Sequence, residues 1–230
     1  MAQAENLLIK QLPKADRKRL LDQCEPFELV LSDELSVRGQ SLSHAYFPRS
    51  GFISLAIDVD SYLGLEVGMA GRESMLGAEL VLGLAPTPWR ALVQGPGLSW
   101  RIEADNLRQA CSASPALRQV IQTSLLVRLH QQTLAAGCER FHLTRPRLAR
   151  WLLMSQDRAQ ADTFHVTQEF LALMLGVRRV SVTVAASGFQ KNGLISYHRG
   201  KLTVQDRAAL KAQACSCYAA DRRLYAELTR

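Results

Sequence analysis

The stretch Val166–Gln190 constrains this chain more than any other. Thr167 precedes Gln168, Glu169 and the apolar run Phe170–Leu175, which ends at Gly176. A threonine hydroxyl can cap a helix, Glu169 suits the positive end of its dipole, and Val166 is placed to staple against Leu171. Gly176 supplies a sharp turn. Beyond it Val182, Ala185, Ala186 and Phe189 recur at helical spacing, an apolar stripe that turns a second helix over 178–190 toward the first. The β-branched run Val177–Val184 would by propensity alone suit a strand. The stripe and the upstream cap outweigh it. Helix, glycine turn, helix is the arrangement that offers its second helix to a DNA major groove.

The outer face of that second helix carries the chemistry. Arg178 and Arg179 open it, and two cations there oppose the helix dipole by a few tenths to about 1 kcal/mol each. Such a pair asks for an anionic partner, although a solvated basic cap is the plainer alternative. Arg179 matches the O6 and N7 acceptors of guanine, and Val180 and Val184 match thymine methyls. Ser181 and Thr183 suit phosphate or base edges. Downstream, Leu194–His198 and Lys201–Val204 flank Arg199–Gly200, a tight hairpin that would bring His198, Arg199 and Lys201 to the sugar–phosphate backbone.

Charge divides along the chain in the same sense. Residues 1–142 hold 14 Lys and Arg against 15 Asp and Glu, whereas residues 143–230 hold 14 against 6. A neutral front and a basic back imply two modules, the second facing a polyanion.

The front half has a different texture. Phe27–Leu31, Ala45–Phe47, Phe52–Ile57, Leu63–Val67, Ala91–Gln94 and Ser99–Ile102 are brief β-prone runs parted by Gly, Pro, Ser and Asp. They predict an antiparallel β jelly roll or closed barrel, with self-paired edges and room for a small ligand. Two short helices parted by Pro13 precede it, and a helical segment Ala104–Cys111 follows. Ser114 and Pro115 then open a helix of roughly 26 residues, about 39 Å long. That length exceeds a small domain's width, so a two-fold partner helix is the economical neighbour, with packing inside the chain as the alternative. Thr144 is placed to cap the next helix, Arg145–Asp157, and a last amphipathic helix spans roughly 206–228. The fold class expected is α+β, divided into a sensor domain over 1–113, a dimerisation helix over 114–142 and a winged helix–turn–helix over 143–230.

Several classes are disfavoured. The longest uncharged run, Val180–Gln190, has eleven residues, well short of the roughly 20 of a membrane span, so no membrane partner is expected. No basic-then-apolar leader opens the chain, and the five cysteines, Cys24, Cys111, Cys138, Cys215 and Cys217, form no disulfide framework; both suggest a reducing cytoplasm. His44, His130 and His142 lie in neither His-x-His nor His-x-x-x-His spacing, and no nucleophile, phosphate-loop or dinucleotide motif is present. No enzyme, catalytic residue, metal or cofactor is therefore expected, and the Cys215–Cys217 pair is assigned to packing.

The order of barrel, long helix and winged module resembles the Crp–Fnr superfamily of bacterial transcription regulators from Leu20 onward. Phe141–Trp151, Thr167–Gln190 with its Gly176 turn, and Asn192–Gly193–Leu194–Ile195 carry the likeness. The resemblance implies a homodimer that places two recognition helices on a palindromic double-stranded site and senses an effector in the barrel. It implies that Thr167 and Gln168 touch the DNA backbone, and that Arg178, Arg179, Val180, Ser181 and Val184 face the groove. It also implies an effector pocket at Gly77, Ala78, Trp89, Arg90 and Thr133. Cyclic-nucleotide-binding members carry Gly-Glu and Arg-Ser pairs where this chain has Gly77–Ala78 and Trp89–Arg90, so cyclic AMP is not expected to bind. One cysteine before Cys111 does not suit an iron–sulfur cluster, nor do His44 and Cys24 suit haem. The competing reading is a small-molecule-binding protein whose basic module contacts a protein or an anionic surface.

Overall fold

Pro13 parts the opening helices as expected. In the computed structural model, which describes residues 5–60, 62–83 and 86–228, α1 (Leu7–Gln11) and α2 (Lys14–Leu21) lie on either side of it. Asn6 starts α1 and pins it to the body of the chain. Its Oδ1 accepts from the amides of Leu8 and Ile9 at 3.0 and 3.2 Å, while its Nδ2 donates to the Pro48 and Ser74 carbonyls, both at 2.9 Å. A buried amide that satisfies four partners is the kind of polar core group a fold retains.

Seven strands follow: β1 (Glu25–Leu29), β2 (Glu34–Ser36), β3 (His44–Pro48), β4 (Phe52–Val59), β5 (Tyr62–Ala70), β6 (Arg90–Gly95) and β7 (Gly97–Glu103). They pair antiparallel as two sheets, β1-β7-β3 and β2-β6-β4-β5. The jelly-roll expectation holds, but the sheets stay open where a closed barrel and self-paired edges were the other possibility. The register of β4 slips against both neighbours, and the edge strand β5 packs against a helix of the second half instead of another strand. Leu29, Phe47, Ile53, Leu55, Val93 and Ile102 fill the core of this half. A 3₁₀ turn (Ala78–Leu82) crosses between β5 and β6.

Two helices lead out of the sheets: α3 (Ala104–Ala113) and α4 (Pro115–Phe141). Ser114 caps α4 through its Oγ, which accepts from the Leu117 amide at 3.1 Å, with Pro115 in the first turn as predicted. The 27 residues of α4 span about 40 Å. His142 ends it in an extended conformation, and α5 (Thr144–Ala159) begins two residues later. Leu143, not Thr144, holds the cap position there; Thr144 already lies within the first turn, so its side chain is past the place where a cap acts.

The second half comprises β8 (Thr163–His165), α6 (Gln168–Leu175), α7 (Arg179–Lys191), β9 (Ile195–His198), β10 (Lys201–Val204), α8 (Arg207–Gln213) and α9 (Ser216–Leu228). The hairpin gains a third strand in the order β8-β10-β9. The single terminal helix expected over 206–228 is two helices. Ala214 is extended, and the Cys215 amide donates to the Pro146 carbonyl of α5 at 3.4 Å, so packing against α5 breaks a segment free of Gly and Pro. Leu152, Leu171, Val182, Phe189 and Leu202 form the core of this half, which Phe52 and Met69 of the first half also join.

Candidate nucleic-acid interface

α6 and α7 meet at 113°, within the range of helix–turn–helix pairs. Local chemistry sets the angle. The Thr167 Oγ1 accepts from the Phe170 amide at 3.1 Å, the cap the sequence indicated. At the other end Gly176 takes a φ of +61°, and the Val177 amide closes the turn on the Ala172 carbonyl at 3.0 Å. A side chain there would also begin 3.0 Å from Leu65 of β5.

Val182, Ala185, Ala186 and Phe189 are buried on the inner face of α7, and Arg178, Arg179, Val180 and Val184 are exposed on its outer face. Val180 and Val184 are 62% and 69% exposed, an unusual outlay of β-branched apolar surface. Ser187, one turn further along the same face, is exposed as well; its spacing from Val180 and Val184 was the signal for it in the sequence. Arg179 Nη1 pairs with Glu169 Oε1 at 2.6 Å across two largely solvated side chains. Such a pair contributes at most about 1 kcal/mol and exchanges readily for another anion. Ser181 and Thr183 are half-buried, and the Thr183 Oγ1 donates to Gln168 Oε1 at 2.6 Å, tying α7 to α6.

The β9–β10 hairpin turns on Arg199 and Gly200, with φ of +47° and +78°, the two positive values of a type I′ turn. His198, Arg199 and Lys201 are exposed at its tip. Tyr197 anchors it by donating its hydroxyl proton to the Val166 carbonyl at 2.7 Å. Burial, then the Glu169 charge, pushes that phenol up to about 12, so it stays a donor. A cleft of about 310 Å³ joins Thr167, Gln168, Glu169, Arg179, Tyr197 and Arg199, uniting the start of α6, the recognition face and the hairpin.

The family model for the Crp-like helix-turn-helix domain matches residues 146–213. This module is a Crp-like helix–turn–helix domain. No curated protein matches the chain in sequence. Among solved structures it is similar to FixK2 from Bradyrhizobium japonicum, with a TM-score of 0.68 and 13% identity over 84% of this chain and 98% of that one. It is similar to a putative Crp/Fnr-family regulator from Eubacterium rectale, with a TM-score of 0.67 and 18% identity over 91% and 99%. The c-di-GMP-responsive global regulator CLP from Xanthomonas campestris gives 0.66 and 18% over 84% and 99%. The chain therefore has the fold of these Crp/Fnr-family structures over most of its length.

Within that fold the residues expected to line an effector pocket lie in differing surroundings. Gly77 takes a φ of +92° at the start of the 3₁₀ turn, and a side chain there would meet Leu42 and Ala45 at 2.9 and 3.0 Å. Ala78 is fully buried and Trp89 packs on the core. Arg90 instead pairs at the surface with Glu34 at 3.0 Å, and Thr133 is exposed on α4, its Oγ1 donating to the Leu129 carbonyl at 2.9 Å. What meets Trp89 is Arg128, which the sequence did not single out. Its guanidinium stacks on Trp89 at 5.4 Å, faces Glu79 at 3.8 Å and donates to the Met75 carbonyl. The carboxylate missing at Ala78 is thus present one residue on, turned upon Arg128.

The opposite face of α4 is open. Leu126 and Leu129 are 52% and 60% exposed, and Thr133, Ala136 and Arg140 continue their line at spacings of three and four. The α4 terminus holds a further group. Cys138, His142, Cys215 and Cys217 place one donor atom each within 4.8 Å of one another. The sequence offered Cys-x-x-x-His and Cys-x-Cys separately, and only the break between α8 and α9 joins them.

Proposed function

We propose that this protein is a homodimeric transcription regulator that binds double-stranded DNA sequence-specifically, with 1–113 as sensor domain, 114–142 as dimerisation helix and 143–230 as DNA-binding domain. The observation that carries the proposal is the outer face of α7: two arginines and two valines are exposed at the second helix of a Crp-like helix–turn–helix domain, beside a basic hairpin. Arg179 takes guanine and exchanges Glu169 for it, while Val180 and Val184 meet thymine methyls. Arg178, Ser181, Thr167, Gln168, His198, Arg199 and Lys201 hold phosphate, and Thr183 braces Gln168 for that contact. The exposed line on α4 from Leu126 to Arg140 is the seam with a second copy, in the heptad spacing of a coiled coil.

Selection from random-sequence duplexes tests this. A palindrome whose half-sites lie about 34 Å apart supports the dimeric regulator. Affinity for it then falls with salt by a slope of about −0.9 per neutralised phosphate. Retention without any enriched sequence overturns the reading in favour of a basic module that contacts protein or an anionic surface.

A further inference from the structure

We propose that Cys138, His142, Cys215 and Cys217 form a tetrahedral zinc site that fastens the end of α4 to the junction of α8 and α9. Cys138 lies in the last turn of α4, His142 is its terminal residue, and Cys215 and Cys217 flank the start of α9. Cys138 Sγ and Cys215 Sγ are 3.5 Å apart, and Cys217 Sγ and His142 Nδ1 are 3.6 Å apart. Zinc–sulfur bonds of about 2.3 Å and a zinc–nitrogen bond of about 2.05 Å define a tetrahedron with edges of about 3.8 and 3.6 Å. These two separations match those edges within a few tenths of an ångström, and the other four lie within 4.8 Å. No thiol pair here is bonded as a disulfide, and all three cysteines are buried.

The donor chemistry selects the cation. Three thiolates and an imidazole are soft to borderline ligands, which favour zinc over calcium or magnesium and fill all four positions of a closed structural site. Donor atoms this close suit a single ion; sulfide-bridged irons would hold their ligands further apart. Binding converts three thiols to thiolates and releases three protons to solvent, leaving a site of net charge −1 with neutral His142 coordinated through Nδ1. Arg150 offsets that charge: it acts on the sulfurs of both Cys138 and Cys217, and its buried Nε has no hydrogen-bond partner. The ion would tie the two chain segments on which the turn from α4 into α5 depends, and so fix how the helix–turn–helix domain sits on the long helix. The site does not depend on the DNA-binding reading.

The test uses the untagged full chain, purified without chelators and analysed for metals by inductively coupled plasma mass spectrometry. Roughly one zinc per chain is expected, falling at least about tenfold in Cys217→Ser and unchanged in Cys24→Ser, which lies outside the site. Stripping the intact wild-type chain and adding cobalt should restore thiolate-to-cobalt charge transfer with the intense d–d bands of a tetrahedral ion, a readout independent of whether the variant folds. Absence of both stoichiometric zinc and the cobalt spectrum overturns the proposal. So does zinc that persists in Cys217→Ser, stoichiometric iron in its place, or a Cys138–Cys215 disulfide in protein kept reduced throughout.

Discussion

Glu66 makes the seam between the two halves sensitive to pH. Its Oε1 accepts from the indole Nε1 of Trp151 in α5 at 2.9 Å, and its Oε2 accepts from Ser54 Oγ at 2.5 Å. Burial pushes its carboxyl up to about 7, against the pull of those two hydrogen bonds and of Arg158 and Arg150. An unfolded glutamate titrates near 4.5, so between about 4.5 and 7 the folded chain keeps a proton that the unfolded chain has released. The folded state binds more protons there, and stability falls as pH rises. The contribution is complete below about 4.5 and gone once pH has passed about 7. Two and a half pKa units correspond to about 3 kcal/mol, an upper figure because Glu66 keeps some exposure. Glu66→Gln preserves both hydrogen bonds, its carbonyl accepting from Trp151 and its amide donating to Ser54, and it does not titrate. Urea unfolding of both proteins from about pH 5 to pH 8, followed by tryptophan fluorescence, isolates the effect, since the two chains differ at this one group. The variant's advantage over wild type should grow by up to about 2.5 kcal/mol across that range, the rest of the change lying below pH 5. Parallel pH profiles would refute the reasoning, as would a wild type that gains on the variant with rising pH.

Other outcomes follow from the same geometry. Arg179→Ala should cost about 1–3 kcal/mol on the selected operator and relax discrimination at one base position; equal weakening on every sequence in a competition assay would make Arg179 a phosphate contact only. Leu129→Lys places a charge on the exposed line of α4 and should shift sedimentation from dimer to monomer without moving the thermal unfolding of the sheet half. Arg128→Met strips Glu79 of its buried counter-charge and should destabilise the fold by about 3–5 kcal/mol, most of it recovered in the double variant with Glu79→Gln. Calorimetry with cyclic AMP should show no micromolar binding, because Arg128 already lies against Glu79 and Trp89.

The recognition module was legible because its signals are local. Thr167 caps four residues ahead of Leu171, Gly176 turns within its own motif, and the stripe from Val182 to Phe189 needs no partner to be seen. Elements that owe their form to distant pairing were not. β8 is three residues that exist as a strand only against β10, and β2 pairs with β6 through an irregular register. Ala214 and Cys215 break a helix that propensity would continue, because α5 takes the Cys215 amide. Arg128 sits in α4 with nothing beside it in sequence to mark it as buried; its partners Glu79 and Trp89 come from the sheet half. The four sulfur and imidazole donors were dispersed for the same reason.

Arg128 also defines what any occupant of the sheet half must do. The guanidinium is 5% exposed and shares its site with a carboxylate whose oxygens find no hydrogen bond. An anion that reached Arg128 would satisfy it while leaving Glu79 buried without its counter-charge, at a cost of several kcal/mol. A ligand that enters must therefore bring a donor for Glu79 as well as an acceptor for Arg128, or bind with Glu79 protonated. Because Arg128 is carried by α4, replacing its partners acts directly on the helix whose other face bears Leu126 and Leu129. The pair thus couples the interior of the sheet half to the proposed dimer seam through one rigid element, with no intervening loop.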